Sequence, residues 1–192
     1  MKLNVVSADQ WEAARQQLLV KEKALTRARD AMAAERRRMP WMEVDKNYVF
    51  EGPNGNLSLR DLFEGRRQLI VYRAFFEPGV HGWPEQACRG CSMVADQVAH
   101  LAHLNARDTT LAFVSRAPQA DIVRLKARMG WAMPWYTVTD SFDWDFGVGE
   151  WHGALHLAGG REHVLVHATA SAGALLAPDV QVHRRHRSVA RH

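Results

Sequence analysis

Two cysteines are present in 192 residues, and they stand three apart in the stretch "PEQACRGCSMVADQVAHLAHL", directly ahead of an apolar-periodic run. Cys88 and Cys91 therefore fall within one turn of a helix start. Three kinds of chemistry compete for such a pair: dithiol redox exchange, a metal clip, or inert packing. Unpaired N–H groups at a helix start, with the positive end of the macrodipole, favour a thiolate over a thiol. Cysteines so placed fall from a pKa of about 8.5 to roughly 3.5–7.5, which makes them nucleophiles at neutral pH. Arg89, between the two, adds a fixed positive charge. Cys91 lies one turn on, in reach of a mixed disulfide formed at Cys88. A C-x-x-C beside a βαβ pattern is a redox signal.

The metal reading needs further ligands. His100 and His103 fall on the same expected helix, but at about 100° per residue they point roughly 180° and 120° away from Cys91. His81 is nearer in sequence, yet two thiols and one imidazole fall short of a four-ligand tetrahedral site. No metal and no bound cofactor are expected. The inert reading suits Cys91 better than Cys88, because the first residue of a helix is rarely the buried one.

The elements that must position this pair can be read around it. "RRQLIVYRAFF" holds a nearly continuous β-rich run from Leu69 to Phe76, closed by Pro78-Gly79, as a buried central strand requires. After the cysteines, Val94, Val98 and Leu101 recur at helical spacing; "TTLAFVS" is a second buried strand; Asp121 to Met129 is a helix that stops at Gly130; "WYTVTD" is a third strand. Strands alternating with helices imply parallel neighbours joined by crossovers, an α/β sandwich. Upstream, "NYVFEGPNGNLSLRDLF" predicts a hairpin with a Pro-Asn-Gly turn lying on a sheet edge.

The first forty residues read as one long amphipathic helix. Ser7 and Gln10 form a capping-box pattern; Trp11, Leu18, Leu25 and Met32 recur every seven residues, with Ala14 and Ala28 between them; Arg36, Arg37 and Arg38 suit the negative end of the dipole, and Pro40 stops the helix. It serves either to pair two subunits in a homodimer or as an arm on its own domain. Residues 41–168 form the main domain, and 169–192 a basic tail.

Charge and hydropathy exclude two partner classes. The net charge of +4 is split unevenly: residues 1–40 carry nine Lys and Arg against five Asp and Glu, residues 41–153 eleven against fourteen, and residues 154–192 five against two. A phosphate-tracking groove needs its positive charge on the domain that grips, so nucleic acid is not expected. No stretch approaches the roughly 18 apolar residues of a membrane span, and Asp9, Glu12 and Arg15 interrupt any secretory core. The expected location is the cytoplasm, where a close cysteine pair is catalytic or metal-binding rather than a structural staple.

Two long stretches carry a resemblance. "YRAFFEPGVHGWPEQACRGCSMVADQVAHLAHLNARDTTLAFVSRAP" and "ARMGWAMPWYTVTDSFDWDFGVGEWHG" resemble the bacterial thioredoxin-like family known as domain of unknown function 899, described as dithiol-disulfide oxidoreductases. The resemblance, from about Trp41 to Gly153, implies a thioredoxin-like α/β sandwich in its peroxiredoxin-like variant, with Cys88 and Cys91 as the redox pair. The implied partner is a protein or small-molecule disulfide, with an electron donor the family does not specify. Pro84, Cys88 and Cys91 also resemble the peroxiredoxin pattern P-x-x-x-T-x-x-C, with Cys88 in place of the threonine. On that alternative Cys91 attacks peroxide and Cys88 resolves the sulfenic acid; on the reductase reading Cys88 attacks and Cys91 resolves. A third reading, of another class, is a redox-inactive thioredoxin-like binding module.

Trp83, Pro84, Arg89, Trp135 and His152 are the candidates for lining or tuning the site. Trp83, Trp131, Trp135, Trp144 and Trp151 could edge a substrate groove, although each type is as well suited to a core. His152 is a candidate proton shuttle, or simply packed beside Trp151. Asp140, Asp143 and Asp145 read as a loop cap facing water.

The ending departs from the resemblance. A thioredoxin fold implies a cis-proline ahead of its last hairpin and a closing helix. "GALHLAGGREHVLVHATA" permits the hairpin around Gly159-Gly160, but no proline precedes it, and "SAGALLAPDVQVHRRHRSVARH" lacks helical periodicity. Six of the ten histidines follow Gly153. The expectation is an atypical tail, frame-shifted from near residue 154; the alternative is a natural, disordered His/Arg tail.

Overall fold

The computed structural model describes residues 3–98, 100–149, 152–159 and 163–171. The chain divides into two compact units, Met1–Pro40 and Trp41–His192. The first is helix α1 (Ala8–Arg38), started by the Ser7–Gln10 capping box and closed by three arginines in its last turn. No residue of α1 is buried.

The second unit is built on one sheet. Its strands are β1 (Met42–Val44), β2 (Val49–Gly52), β3 (Gly55–Ser58), β4 (Gln68–Arg73), β5 (Thr109–Ser115), β6 (Trp135–Val138), β7 (Gly153–Gly159) and β8 (Val164–Ser171), in the spatial order β1-β8-β7-β4-β5-β6-β2-β3. β4, β5 and β6 run parallel, whereas β7 lies antiparallel to β4. The β2–β3 hairpin sits on the sheet edge beside β6, as its turn sequence predicts. β1, a three-residue strand that the sequence does not announce, pairs with β8 at the opposite edge.

Two-residue alternation divides the core between the faces of the sheet. Leu69 and Val71 of β4, Ala112 and Val114 of β5, and Leu155 and Leu157 of β7 pack with Phe50, Leu62 and Phe142 on one face. Tyr72 and Phe113 point the other way, where α2 (Arg89–Asp96) and α4 (Gln119–Met129) cover them with Cys91, Ala95, Ile122 and Leu125. α4 ends where the sequence places its stop, on Gly130 at φ 70°, a left-handed conformation that costs glycine little. Parallel strands crossed over by helices, followed by an antiparallel hairpin, make the thioredoxin-like α/β sandwich that the resemblance implies. Among the described residues no helix is long and apolar enough to cross a membrane.

Two expectations change. The run Val94, Val98, Leu101 does not continue one helix: α2 stops at Asp96 and a separate turn, α3 (Ala102–Asn105), follows. The Asp96 carboxylate accepts from Trp131 Nε1 at 2.8 Å, the amides of Gln97 and Val98 tighten to i→i+3 bonds, and His100 Nδ1 accepts from the Ala102 amide to begin the next turn. Asp143, read as solvated, is fully buried. It lies in the short helix α5 (Phe142–Asp145) and accepts from Arg73 at 3.2 Å and Arg116 at 2.5 Å, so two guanidinium groups offset the loss of its hydration. The frame-shift expectation begins near residue 154 and so spans the closing hairpin, which is formed, β7 pairing with β8 up to Ser171; the rest of the tail on which it falls lies outside the described residues.

Candidate active site

The site forms where β4 ends. The Ala74 amide donates to the Val114 carbonyl at 2.8 Å, extending the β4–β5 pairing by one residue and fixing Phe75 at the lip of the sheet. Both backbone groups of Phe75 then hold the cysteine pair. Its carbonyl accepts from the Cys88 amide at 3.2 Å, and its amide donates to Cys91 Sγ at 3.2 Å. The loop returns through Gly79 and Gly82 and the cis Trp83-Pro84 bond, and Trp83 packs on Phe76 with ring centres 4.7 Å apart.

Cys88 is the N-cap of α2, as its spacing predicts; its carbonyl accepts the first helical bond, from the Ser92 amide at 2.9 Å. No side chain caps this helix start. The Cys88 sulfur lies over the first turn, 3.9 Å from where a methyl on Gly90 would stand. Cys88 is half-buried, whereas Cys91 is 1% exposed. Burial pushes the Cys91 thiol up to about 12, against the lowering effect of the Phe75 N–H. Both cysteines are free thiols in this structure.

Two polar side chains complete the site. His152 stands directly ahead of β7, at the position where the resemblance implies a proline. One of its nitrogens and the two sulfurs all lie within 4.8 Å of one another. Among the described residues, buried His152 Nδ1 has no hydrogen-bond partner, and burial, with the nearby Arg73 charge, lowers the imidazole below its ordinary range. The Tyr72 hydroxyl is likewise buried. It approaches Cys91 closely enough to ease ionisation of that thiol, but outside proper hydrogen-bond geometry; burial and the charges on Cys91 and Cys88 oppose its own ionisation.

Arg73 anchors this corner from below. It is fully buried, pairs with Glu77 at 2.7 Å and Asp143 at 3.2 Å, and donates to the Ala74 carbonyl at 3.0 Å. Neither Arg73 nor Tyr72 stands out in the sequence, except that a charge ending an apolar strand invites the search for a buried partner.

The other sequence candidates divide. Trp83 and Pro84 are half-buried beside the pair's loop. Trp135 does not line a groove: it is 3% exposed, stacks on Trp131 and gives its Nε1 hydrogen to Ser115 at 3.0 Å, so it belongs to the core beneath α2. Trp144 is exposed, and Trp151 lies outside the described residues. Arg89 is exposed and lines a groove of about 340 Å³ between α2 and α4 with Met93, Arg128 and Met129. His81, His100 and His103 are all exposed, and none of them belongs to the cluster of donors at the cysteines. The imidazole at the cysteines is that of His152, not of any of these three.

Several solved structures are similar to this chain in fold alone. A thiol:disulfide interchange protein DsbE from Chlorobium tepidum is 13% identical, with 69% of this chain and 86% of that chain covered at a TM-score of 0.45. A yeast mitochondrial 1-Cys peroxiredoxin is 12% identical, with 66% and 64% covered and a TM-score of 0.44. The bacterioferritin comigratory protein of Xanthomonas campestris is 14% identical, with 68% and 85% covered and a TM-score of 0.41. No curated protein matches the chain in sequence. One family matches over residues 1–186, continuing across the position near 154 where the reading frame was expected to shift. The chain belongs to that family, the bacterial proteins of unknown function DUF899.

Proposed function

We propose that the protein is a thiol-disulfide oxidoreductase in which Cys88 attacks a protein or small-molecule disulfide and Cys91 resolves the mixed disulfide. The observation that supports this most is the asymmetry of the pair: Cys88 is accessible at an uncapped helix start, while Cys91 is buried one turn on and held by the Phe75 amide. The Cys88 thiolate forms a bond to one substrate sulfur, and the other substrate sulfur leaves as a thiolate. Cys91 then attacks Cys88 Sγ, the bond from Cys88 to the substrate breaks, and the protein is left with a Cys88–Cys91 disulfide. The dithiol supplies both electrons.

His152 has a defined task in the second step. Cys91 rests as a thiol, since burial holds its pKa near 12, and must lose its proton to attack. The His152 imidazole, beside both sulfurs, is placed to act as general base while Cys91 attacks and to return the proton to the departing substrate thiolate. Burial of Cys91 weighs against the peroxidase alternative, which needs Cys91 as the exposed, ionised nucleophile.

Single-turnover reduction of a disulfide substrate by the pre-reduced protein tests the reading. Cys88→Ser should abolish turnover, and Cys91→Ser should accumulate a mixed disulfide at Cys88, visible by mass spectrometry. Equal residual turnover in both variants excludes the dithiol mechanism. No reaction in the wild type with any disulfide would favour the binding-module reading.

A further inference from the structure

The same corner of the molecule has a second chemical capacity, which does not depend on the protein reducing any substrate. We propose that the reduced protein binds one thiophilic d10 metal ion through Cys88 Sγ, Cys91 Sγ and an imidazole nitrogen of His152.

The geometry is the first ground. The three donor atoms lie within 4.8 Å of one another. Donors about 2.0–2.3 Å from a shared ion stand up to about 4 Å apart when the ion lies in their plane, so closing the site needs less than about an ångström of movement per pair. Side-chain rotation supplies that, since the backbone at each donor is already fixed. The Phe75 carbonyl holds the Cys88 amide, Cys91 lies in the first turn of α2, and His152 enters directly on β7, which pairs with β4 over Gly153 to Ala158.

The donor chemistry is the second. Two sulfurs and one imidazole, with no carboxylate among them, form a soft set that selects Cu(I) or Zn(II) over Mg(II), Ca(II) or Mn(II). Three protein donors complete a trigonal Cu(I) site. Zn(II) would need a water as fourth ligand.

The surroundings are the third. His152 Nδ1 is buried and, among the described residues, has no hydrogen-bond partner. The Tyr72 hydroxyl is buried, has no hydrogen-bond partner among the described residues and lies near Cys91, where it can donate to a metal-bound thiolate. Binding displaces the two thiol protons, and a Cys88–Cys91 disulfide removes both sulfur donors.

The test is a competition titration of the full-length, phosphine-reduced protein under anaerobic conditions, with Cu(I) against a chromophoric Cu(I) chelator and with Zn(II) against a chromophoric Zn(II) chelator. One equivalent of at least one ion should bind, with Cu(I) the tighter. Cys88→Ser, Cys91→Ser and His152→Ala should each weaken binding at least tenfold, and the disulfide form should bind neither ion. X-ray absorption of the loaded wild type provides a readout that needs no variant: two sulfurs and one nitrogen for Cu(I), with an added oxygen for Zn(II). Absence of uptake of both ions overturns the proposal, as does His152→Ala binding at wild-type affinity or a spectrum without nitrogen. None of these results bears on whether Cys88→Ser abolishes disulfide reduction, so the two readings fail separately.

Discussion

The Phe75 amide donates to Cys91 Sγ at 3.2 Å, and this bond holds the Cys91 sulfur at the end of β4. It fixes Cys91 against the end of β4, inside the core, while Cys88 remains at the surface of the helix start. In chelator-treated, reduced protein at pH 7, iodoacetamide should therefore modify Cys88 first, and Cys91 only slowly. Because burial, the largest cause of the raised Cys91 pKa, persists in Cys88→Ser, labelling of Cys91 in that variant should rise steeply from pH 7 to 10. Faster labelling of Cys91 than of Cys88 at neutral pH would reverse the assignment and favour the peroxidase order.

Asp143→Asn should be among the most destabilising single changes. Its carboxylate is fully buried between Arg73 and Arg116, and Arg73 is itself fully buried. Breaking a buried pair by neutralising one partner costs about 3–5 kcal/mol. Urea unfolding of the variant should show a lower midpoint at an unchanged slope. A midpoint within error of wild type would mean that Glu77 alone satisfies Arg73.

What the sequence disclosed and what it withheld follow from the range of the forces involved. The β4 and β5 runs are legible because burial on both faces leaves a continuous apolar signature, and the Gly130 stop because a left-handed residue has a local chemical cause. Cys88 as a helix start is legible for the same reason. The break after Asp96 is not, because it is made by Trp131, far along the chain, while the local spacing of Val94, Val98 and Leu101 still reads as helix. Asp143 looked solvated because its two arginines arrive from elsewhere, one at the end of β4 and one just after β5. His152 could be suspected of closeness, but its place against both sulfurs, and hence the donor set, follows only from β7 lying antiparallel to β4.

Asp145 should make stability fall at acid pH. Its exposed carboxylate accepts from Lys46 at 2.7 Å, Tyr48 at 2.8 Å and Ser141 at 2.9 Å, and these bonds, Lys46 foremost, lower its pKa to about 2 from an ordinary 3.8. A carboxyl whose folded pKa lies below its unfolded one stabilises the fold above about pH 4, and the contribution is lost between about pH 4 and 2. The difference in thermal midpoint between wild type and Asp145→Asn should be largest at pH 5–6 and shrink towards pH 2. A difference constant across that range would show that the carboxylate's charge plays no part.

The closing hairpin should prove integral to the domain. β7 lies between β4 and β8 in the interior of the sheet, and its Leu155 and Leu157 are buried against the same core face as Leu69 and Val71. Leu157→Ala should cost about 2–5 kcal/mol through lost burial and the cavity left behind. A chain stopped at His152 would lose β7 and β8 together, leaving the ladder groups of β4 unpaired on one side and its core face uncovered. Such a chain should show no cooperative unfolding transition and poor dispersion of its amide proton resonances. If it instead melted cooperatively near the wild-type midpoint, the elements before residue 153 would be a complete domain, and the hairpin would serve only to carry His152 to the thiols.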